Sequence, residues 1–294
     1  MASIMTNASA LTALQSLNST NKNLETTQSR ISTGYRVAEA SDNAAYWSIA
    51  TTMRSDNKAL STVQDTLGLG ASKVDTAYTG MNKAIETVNE IKNKLVSAAG
   101  STEADKAKIQ TEIAALQSQL QAYATSATFS GSNYLSVDTA THAVAGTHDG
   151  ASVVSSFNRA ADGSVSLSKI AIDVESIKLY DAATTDADDA GILEAIRDST
   201  GARDAAATVA VAGTYLATDG FAVSTLTVVG FNDEQIGQML GVVEGALNEM
   251  TDAATTLGAA KQRIDLQKEF TQSLMDSIDR GVGQLVDADM NKES

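Results

Sequence analysis

A long stripe of apolar residues at helical spacing follows Gly34. Its members lie three, four or seven positions apart, which predicts one helix from about Ala44 to Ala99. At a rise of ~1.5 Å per residue, such a helix extends roughly 80 Å. The stripe consists of Ile49, Met53, Leu60, Val63, Leu67, Val74, Met81, Ile85, Val88, Ile91 and Leu95.

A second helix follows after a short break. Gly100 predicts a helix C-cap, and Thr102 predicts the N-cap of the next helix. From Ile109 to Ala127, apolar residues recur in threes and fours. Because so few residues join the two helices, we expect them to pair as an antiparallel hairpin.

A third helical stripe lies near the other end of the chain. Asn232 and Gln235 have the spacing of a capping box, and the apolar seam that follows continues to Leu285. Three such helices predict a long antiparallel coiled-coil bundle built from residues 44–135 and 232–285. The alternative, three separate amphipathic helices on an ordinary domain, does not account for stripes of this length.

The first 43 residues carry a weaker stripe. No side chain from Met1 to Asn21 is charged, so the basic region of a signal peptide is missing, and no apolar run approaches a membrane span. A surface helix on its own domain would carry Lys and Glu on its outer face. Burial among other copies of the chain explains this nearly uncharged helix better. Its apolar residues are Ile4, Leu11, Leu14, Leu17, Leu24 and Ile31.

Residues 136–231 have a different character, which predicts a central α+β insert. Alternating apolar residues indicate strands, and Asp188–Asp198 indicates one short helix. The insert holds thirteen acidic and five basic side chains, so we interpret it as the acidic, outward-facing part of the molecule. The strand signals are Val165 and Leu167, Ile170 to Val174 and, loosely, Val223 to Val229, with turns at Asp162-Gly163 and Asp219-Gly220.

The amino-acid composition and net charge exclude several classes of site and argue against some binding partners. The chain has no Pro, which permits very long helices, and no Cys, which excludes disulfides and thiolate metal sites. A formal net charge of −15 argues against binding to nucleic acid or to an anionic membrane, since both need clustered Lys and Arg.

Candidate chemistry is sparse. His142 and His148 lie in a Gly-, Ala- and Thr-rich stretch without metal-ligand spacing. The stretch Asp186–Gly191 resembles a calcium loop only superficially, because Ala190 replaces the third ligand and Arg197 stands where a bidentate Glu is needed. We therefore predict no catalytic residue, no metal, no cofactor and no enzymatic activity.

Several motifs resemble those of bacterial flagellins. The resemblance covers roughly residues 1–135 and 232–294 and says nothing about residues 136–231. Two of the matches, Tyr46–Ala50 and Val286–Asn291, are similar to flagellins of the rhizobial and related alphaproteobacterial group. The other matching stretches are Arg30–Val37, Ala40–Ala45, Ile49-Ala50, Met53-Arg54, Ile109–Ile113 and Phe129–Leu135.

The resemblance implies a structural, self-assembling subunit of a secreted, extracellular motility filament. Its expected partners are other flagellin subunits, an export chaperone and hook-associated proteins. Residues 1–43 would form an inner-tube helix and a spoke, residues 44–135 and 232–285 the outer bundle, residues 136–231 the exposed variable insert, and residues 286–294 the start of a C-terminal spoke. Gly34 would permit the turn between the two shells.

Two alternatives are kept. A hook–filament junction protein shares the terminal pattern and would differ in its insert. A flagellin-like cell-surface protein that binds a ligand would carry an aromatic-lined groove in the insert, which holds few aromatic residues.

The resemblance also implies a C-terminal helix beyond the Val286–Asn291 run, whereas the sequence ends at Ser294. If that helix is absent from the molecule, we expect Met1–Ile31 to be frayed in a monomer and polymerisation to fail, because isolated helices are marginal in water. A shortened chain is the competing explanation.

Two stretches match receptor-binding segments of other flagellins. The first stretch is residues 89–94, which match the pattern Gln-Arg-x-Arg-Glu-Leu that the vertebrate Toll-like receptor for flagellin recognises. Here Glu90 stands in place of the first arginine of that pattern. In the second, the plant-receptor pattern Asp-Asp-Ala-Ala-Gly is replaced by residues 42–46, so that a ring stands where glycine is expected. Both departures predict weak recognition. The positions concerned are Asn89, Glu90, Ile91, Lys92, Asn93 and Lys94, and Asp42, Asn43 and Tyr46.

Overall fold

The chain forms two compact units, one built from two separate parts of the sequence and the other from one continuous stretch. The computed structural model describes residues 8–138, 151–160, 162–182, 190–204, 208–213, 216 and 219–293. One unit comprises the described residues up to Thr62 together with those from Phe270 onward, and the other comprises Val63–Glu269.

The helices follow the predicted stripes closely, and they confirm a mainly α fold with a β-containing insert. The second helix begins and ends within one residue of the expected bounds. The described helices are α1 (Ala8–Thr33), α2 (Ala44–Ala98), α3 (Glu103–Ser126), α4 (Asp233–Val286) and α5 (Met290–Glu293).

Local capping explains where these helices begin. The Thr102 hydroxyl accepts a hydrogen bond from the Asp105 backbone N–H at 3.4 Å, as predicted for an N-cap. At α4, the Asn232 side chain accepts from the Gln235 N–H at 2.8 Å, and the Gln235 side chain accepts from the Asn232 N–H at 3.3 Å. This reciprocal pair confirms the capping box.

In the second unit, α2, α3 and α4 form the expected antiparallel bundle. Lys94 of α2 pairs with Glu112 of α3 at 2.5 Å, and Lys92 of α2 pairs with Glu244 of α4. The apolar seam between the helices is removed from solvent, which supplies most of the driving force for packing. Its fully buried members include Leu67, Met81, Ile91, Ile113, Leu120, Val243 and Ile264.

Between α3 and α4, the described residues form four small two-stranded sheets, of which the first, β1–β2, precedes the insert. The pairs β1–β2 and β4–β5 are antiparallel, whereas β3–β6 and β7–β8 are parallel. A 3-10 helix at Val223–Thr225 precedes the return to α4. The strands are β1 (Thr128–Phe129), β2 (Ser132–Asn133), β3 (Ser136–Val137), β4 (Ser152–Arg159), β5 (Val165–Ala171), β6 (Tyr180–Asp181), β7 (Thr208–Val209) and β8 (Asp219–Gly220).

The short helix predicted at Asp188–Asp198 is wrong over its described part, residues 190–198. The backbone N–H groups of Ile192 and Leu193 donate to the carbonyls of Lys178 and Leu179, at 2.9 and 3.1 Å. These two N–H groups are therefore not available for hydrogen bonds within a helix. A single turn forms after Gly191, and Arg197 then makes β-bridges with Arg203 and Phe221.

Two other strand and turn predictions in the insert are also wrong. The pattern at Val223–Val229 predicts extended backbone throughout, but this segment begins with the 3-10 helix. The predicted turn at Asp219-Gly220 is instead strand β8. The Asp219 side chain accepts the Leu216 backbone N–H at 2.9 Å, so it closes the loop that precedes the strand.

A pair of glycines lets the insert lie flat against α4. The carbonyl oxygens of Ser199 and Gly201 lie far inside van der Waals distance of where a Cβ would stand on Gly241 and Gly245, respectively. No side chain fits at either helix position without displacing the insert backbone.

Several charged side chains of the insert are buried, whereas the outward position of the insert as a whole stays a prediction. Lys178, Asp181, Arg197 and Asp219 are at most 3% exposed. Lys178 bonds Asp181 at 2.9 Å and Glu175 at 2.5 Å, and these contacts outweigh burial and raise the pKa of Lys178. These charges are retained inside because each has a charged or hydrogen-bonding partner.

Candidate assembly surface

The apolar stripe of α1 is exposed along its described length. Leu11, Leu14, Leu17 and Leu24 are 57–61% exposed, and Ile31 is 45% exposed. Ile4 lies outside the described residues. Burying a leucine is worth ~1.5–3 kcal/mol, so this stripe holds substantial free energy for association. The fraying expected for residues 1–31 stays a prediction.

Residues 34–43, the segment between α1 and α2 that we predict to be the spoke, are held in a defined turn. Gly34 has φ of +75°, which supports the predicted role of glycine at this turn. The Asp42 carboxylate accepts the backbone N–H groups of Glu39 and Ala38, at 3.1 and 2.9 Å. These two bonds lower the pKa of Asp42, and Asn43 caps α2 by accepting the Tyr46 N–H at 3.1 Å.

The spoke also closes the C-terminal end of α4. The Arg36 backbone N–H donates to the Val286 carbonyl at 2.7 Å, and the Arg36 guanidinium donates to the Leu285 carbonyl at 3.0 Å. The Ala288 N–H donates back to the Gly34 carbonyl at 2.9 Å. Carbonyls at the last turn of a helix have no partner within the helix, and the spoke supplies one. Nothing in the sequence pattern relates residue 36 to residue 285, so sequence reasoning missed this contact.

Small apolar residues anchor the spoke. Val37 packs in a buried cluster with Ala50 of α2 and with Val282 and Val286 of α4. Two cation–π contacts lie on the outside: Arg36 is 6.0 Å from the centre of the Tyr46 ring, and Arg54 is 5.1 Å from the Tyr35 ring. Tyr46, 40% exposed, therefore packs on the spoke while part of its ring faces solvent.

The six receptor-equivalent positions on α2 divide between surface and core. Asn89, Glu90 and Asn93 are exposed to solvent, whereas Ile91 is fully buried. Lys92 and Lys94 are engaged in their ion pairs with α4 and α3. Glu90, the residue that replaces the first arginine, is thus among the accessible members of the stretch.

Groups that could support other functions are sparse in the described residues. Over those ranges, no cluster of three or more His, Cys, Asp or Glu residues has metal-binding geometry. None of the described helices is long and apolar enough to cross a membrane. His142, His148 and Asp186–Asp189 lie outside the described residues.

Sequence comparisons place both ends of the chain in one family. Residues 4–140 match the model of the bacterial flagellin N-terminal helical region, and residues 240–294 match that of the C-terminal helical region. Flagellin C of Rhizobium meliloti strain 1021 is 49% identical over the whole chain and 90% of its own length. A flagellin of Brucella melitensis biotype 1 is 47% identical over the whole chain and 88% of its own length.

A comparison of structures adds little. FliC from Burkholderia pseudomallei aligns with 66% of this chain and 99% of its own, with a TM-score of 0.37 and 15% identity, which is too low to carry an argument. The sequence relatives give no support to the junction-protein or ligand-binding alternatives. With matches over both helical regions and relatives near 50% identity, this chain belongs to the bacterial flagellin family and is a structural, non-enzymatic subunit that self-assembles into the flagellar filament.

Proposed function

We propose that the α1 stripe is the surface through which these subunits associate in the inner tube of the filament. The exposure of four leucines and Ile31 on one helix carries the proposal. The only charged residues of α1 are Lys22, Glu25 and Arg30, all in its C-terminal half. The N-terminal half of α1 can therefore be buried between subunits without the free-energy cost of removing a charged side chain from water. Assembly of a Leu17→Asp variant tests it, since a charge inside that contact must block polymerisation.

We further propose that an export chaperone and hook-associated proteins bind this chain, and that the assembled subunits lie outside the cell. An exposed apolar stripe is an aggregation hazard until it is covered. A chaperone that covers α1 before export would remove that hazard, and hook-associated proteins would meet the same surface at the ends of the filament. Residues 1–43 and 286–294 are the parts we assign to the inner tube and spokes.

We expect weak or absent activation of the vertebrate Toll-like receptor for flagellin. Glu90 is exposed on α2, and an acid where an arginine is expected lowers affinity through repulsion and desolvation. Glu90→Arg should raise reporter-cell signalling about tenfold, equivalent to ~1.4 kcal/mol. The matched control is Asn93→Arg, which adds a cation to the same exposed face without reversing a charge. Strong signalling by the unchanged monomer would rule the idea out.

We also expect evasion of the plant receptor that reads the segment equivalent to Ser29–Ala50. The partly exposed ring of Tyr46 would clash with a groove shaped for glycine, and Asn43 lacks the expected charge. A synthetic Ser29–Ala50 peptide should give little oxidative burst, and Tyr46→Gly with Asn43→Asp should increase it at least about tenfold. Ser48→Gly is the control for added flexibility. A native peptide as active as the doubly substituted one contradicts the hypothesis.

A further inference from the structure

The β4–β5 hairpin carries an apolar surface that its own subunit does not cover. Leu167 pairs across the strands with Phe157, and Val165 pairs with Arg159, so these four side chains share one face. Leu167 is 57% exposed and Val165 51% exposed. Arg159 lies 5.8 Å from the centre of the Phe157 ring, which gives this face a basic edge.

The hairpin is anchored at its opposite end. Val153 and Ile170 pair with each other and are buried, and Val153 packs against Gly70 of α2. Beyond them, Asn158 pairs with Ser166 on the polar face of the ribbon. The outer half of the hairpin is therefore fixed in place, with a polar face and an apolar face that are both accessible.

The same unit contains a cavity of about 570 Å³ in the insert. That volume is within the ~300–1,000 Å³ range of protein binding pockets. Phe221 and Phe231 meet edge to face in its wall, with ring centres 5.8 Å apart. The apolar lining includes Ile196, Val209, Phe221, Leu226 and Phe231.

Glu194 is the charged residue in the described lining of this cavity. One of its carboxylate oxygens accepts the Asp181 backbone N–H at 2.7 Å, and Asp181 and Glu175 lie nearby around Lys178. Burial raises the pKa of Glu194, and the Asp181 charge adds to the rise. A cation brought to the cavity would stabilise the ionised carboxylate.

The hairpin face and the cavity are both mainly apolar, and they carry opposite charges. The hairpin carries Arg159 and Lys169 against the single acid Asp162, although the insert as a whole is strongly acidic. The cavity is apolar with an acidic side. An apolar projection and a matching pocket at different places on one molecule form a heterologous contact, which repeats along an open assembly and does not close.

We infer that the hairpin of one subunit docks into the insert cavity of a second copy, with Leu167 and Val165 in the apolar lining and Arg159 toward Glu194. The inference rests on the self-assembly of the chain, which places copies beside one another at high effective concentration. It adds a contact between inserts to the association of α1 helices. Specificity comes from the charge pairing, because another acidic insert surface would repel the cavity.

Site-specific cross-linking tests this contact without background, because the chain has no cysteine. Leu167→Cys and Thr227→Cys subunits are mixed in one filament and treated with a short thiol-specific cross-linker. Thr227 lines the cavity, so we expect a cross-linked dimer in mixed filaments, at least about tenfold more abundant than in filaments of either variant alone. The matched control replaces Leu167→Cys by Ser166→Cys, on the opposite face of the same strand.

Filaments that form normally but give no dimer between the Leu167→Cys and Thr227→Cys subunits overturn the inference and leave the cavity to a small ligand or another protein. Equal cross-linking by Ser166→Cys, or by Leu167→Cys alone, overturns it too, since it indicates random or hairpin-to-hairpin contact. If the purified subunits form no filaments, filaments sheared from cells that produce both variants supply the same readout. The α1 proposal is tested separately by Leu17→Asp. Leu167→Asp should also lower the temperature at which filaments dissociate by several degrees, with Ser166→Asp unchanged.

Discussion

Leu17→Asp should abolish filament assembly while the helical bundle of the second unit remains folded. Leu17 is 61% exposed in the subunit, so the substitution removes no contact from either core. In a contact that buries the stripe, it forfeits ~1.5–3 kcal/mol per subunit and adds the cost of an unpaired buried carboxylate. Each repeat of the filament carries this penalty. Sedimentation of polymer after seeding, with electron microscopy of the pellet, measures the loss.

The control for this prediction is Ser19→Asp, which puts the same side chain on the other face of α1. Ser19 is exposed and lies outside the leucine stripe, so its variant should assemble at nearly the unmodified critical concentration. Circular dichroism of both monomers should show the same thermal unfolding. Normal assembly of Leu17→Asp would remove α1 as the association surface.

Glu249→Ala should strongly destabilise the second unit. Glu249 of α4 pairs with Arg197 and with Arg203, the latter at 2.6 Å, and Arg197 is only 3% exposed. Removing the carboxylate leaves a buried guanidinium without its counter-charge, which typically costs about 3–5 kcal/mol. For a unit of this size we expect Tm to fall by roughly 10 °C in thermal unfolding followed by circular dichroism.

Lowering the pH should weaken the ion pairs of Glu249 with Arg197 and Arg203. Burial alone would raise the pKa of Glu249, but hydrogen bonds from Arg203 and Arg197 outweigh it and hold the pKa below its usual value. A carboxyl with a depressed folded-state pKa stabilises the protein above its unfolded-state pKa, and that contribution is lost as pH falls through the folded-state pKa. The difference in free energy of unfolding between the unmodified chain and Glu249→Ala should therefore be largest at neutral pH and become smaller as the pH falls.

Glu244→Ala is the matched control, because it removes the same side chain from the same helix. Glu244 pairs with Lys92, but both side chains are well exposed, at 51% and 37%. Exposed pairs contribute ~0–1 kcal/mol, so this variant should unfold within a few degrees of the unmodified chain. Equal Tm values for the two variants would show that the buried pair does not hold the insert to α4.

Sequence patterns predicted the helices well and the insert poorly. The heptad seams and caps near Thr102 and Asn232 are local signals, because they depend on residues three or four positions apart. In the insert, partners are distant in sequence. Ile192 bonds to Lys178, and Arg197 bonds to Phe221, so a local helix signal at residues 188–198 was overridden.

The candidate site shows the same division. The scarcity of charge in residues 1–21 predicts a helix that is buried against other copies, and this stays a prediction; the structure adds that the leucine stripe of α1 is exposed in the single subunit. The charge pattern could not reveal that Arg36 caps the end of α4, nor that Arg197 and Glu249 join the insert to it. Those contacts join residues 249 and 52 positions apart.

The sequence by itself therefore determined the helices, their caps, the family and the absence of an evident catalytic motif, since helical periodicity and short motifs are written in neighbouring residues. Only the tertiary structure decided where the insert's charges go, how the spoke closes α4, and that an exposed hairpin and an apolar cavity occur in one unit. Long-range pairing depends on chain folding that brings distant residues together, and a pattern read along the chain carries no information about that distance.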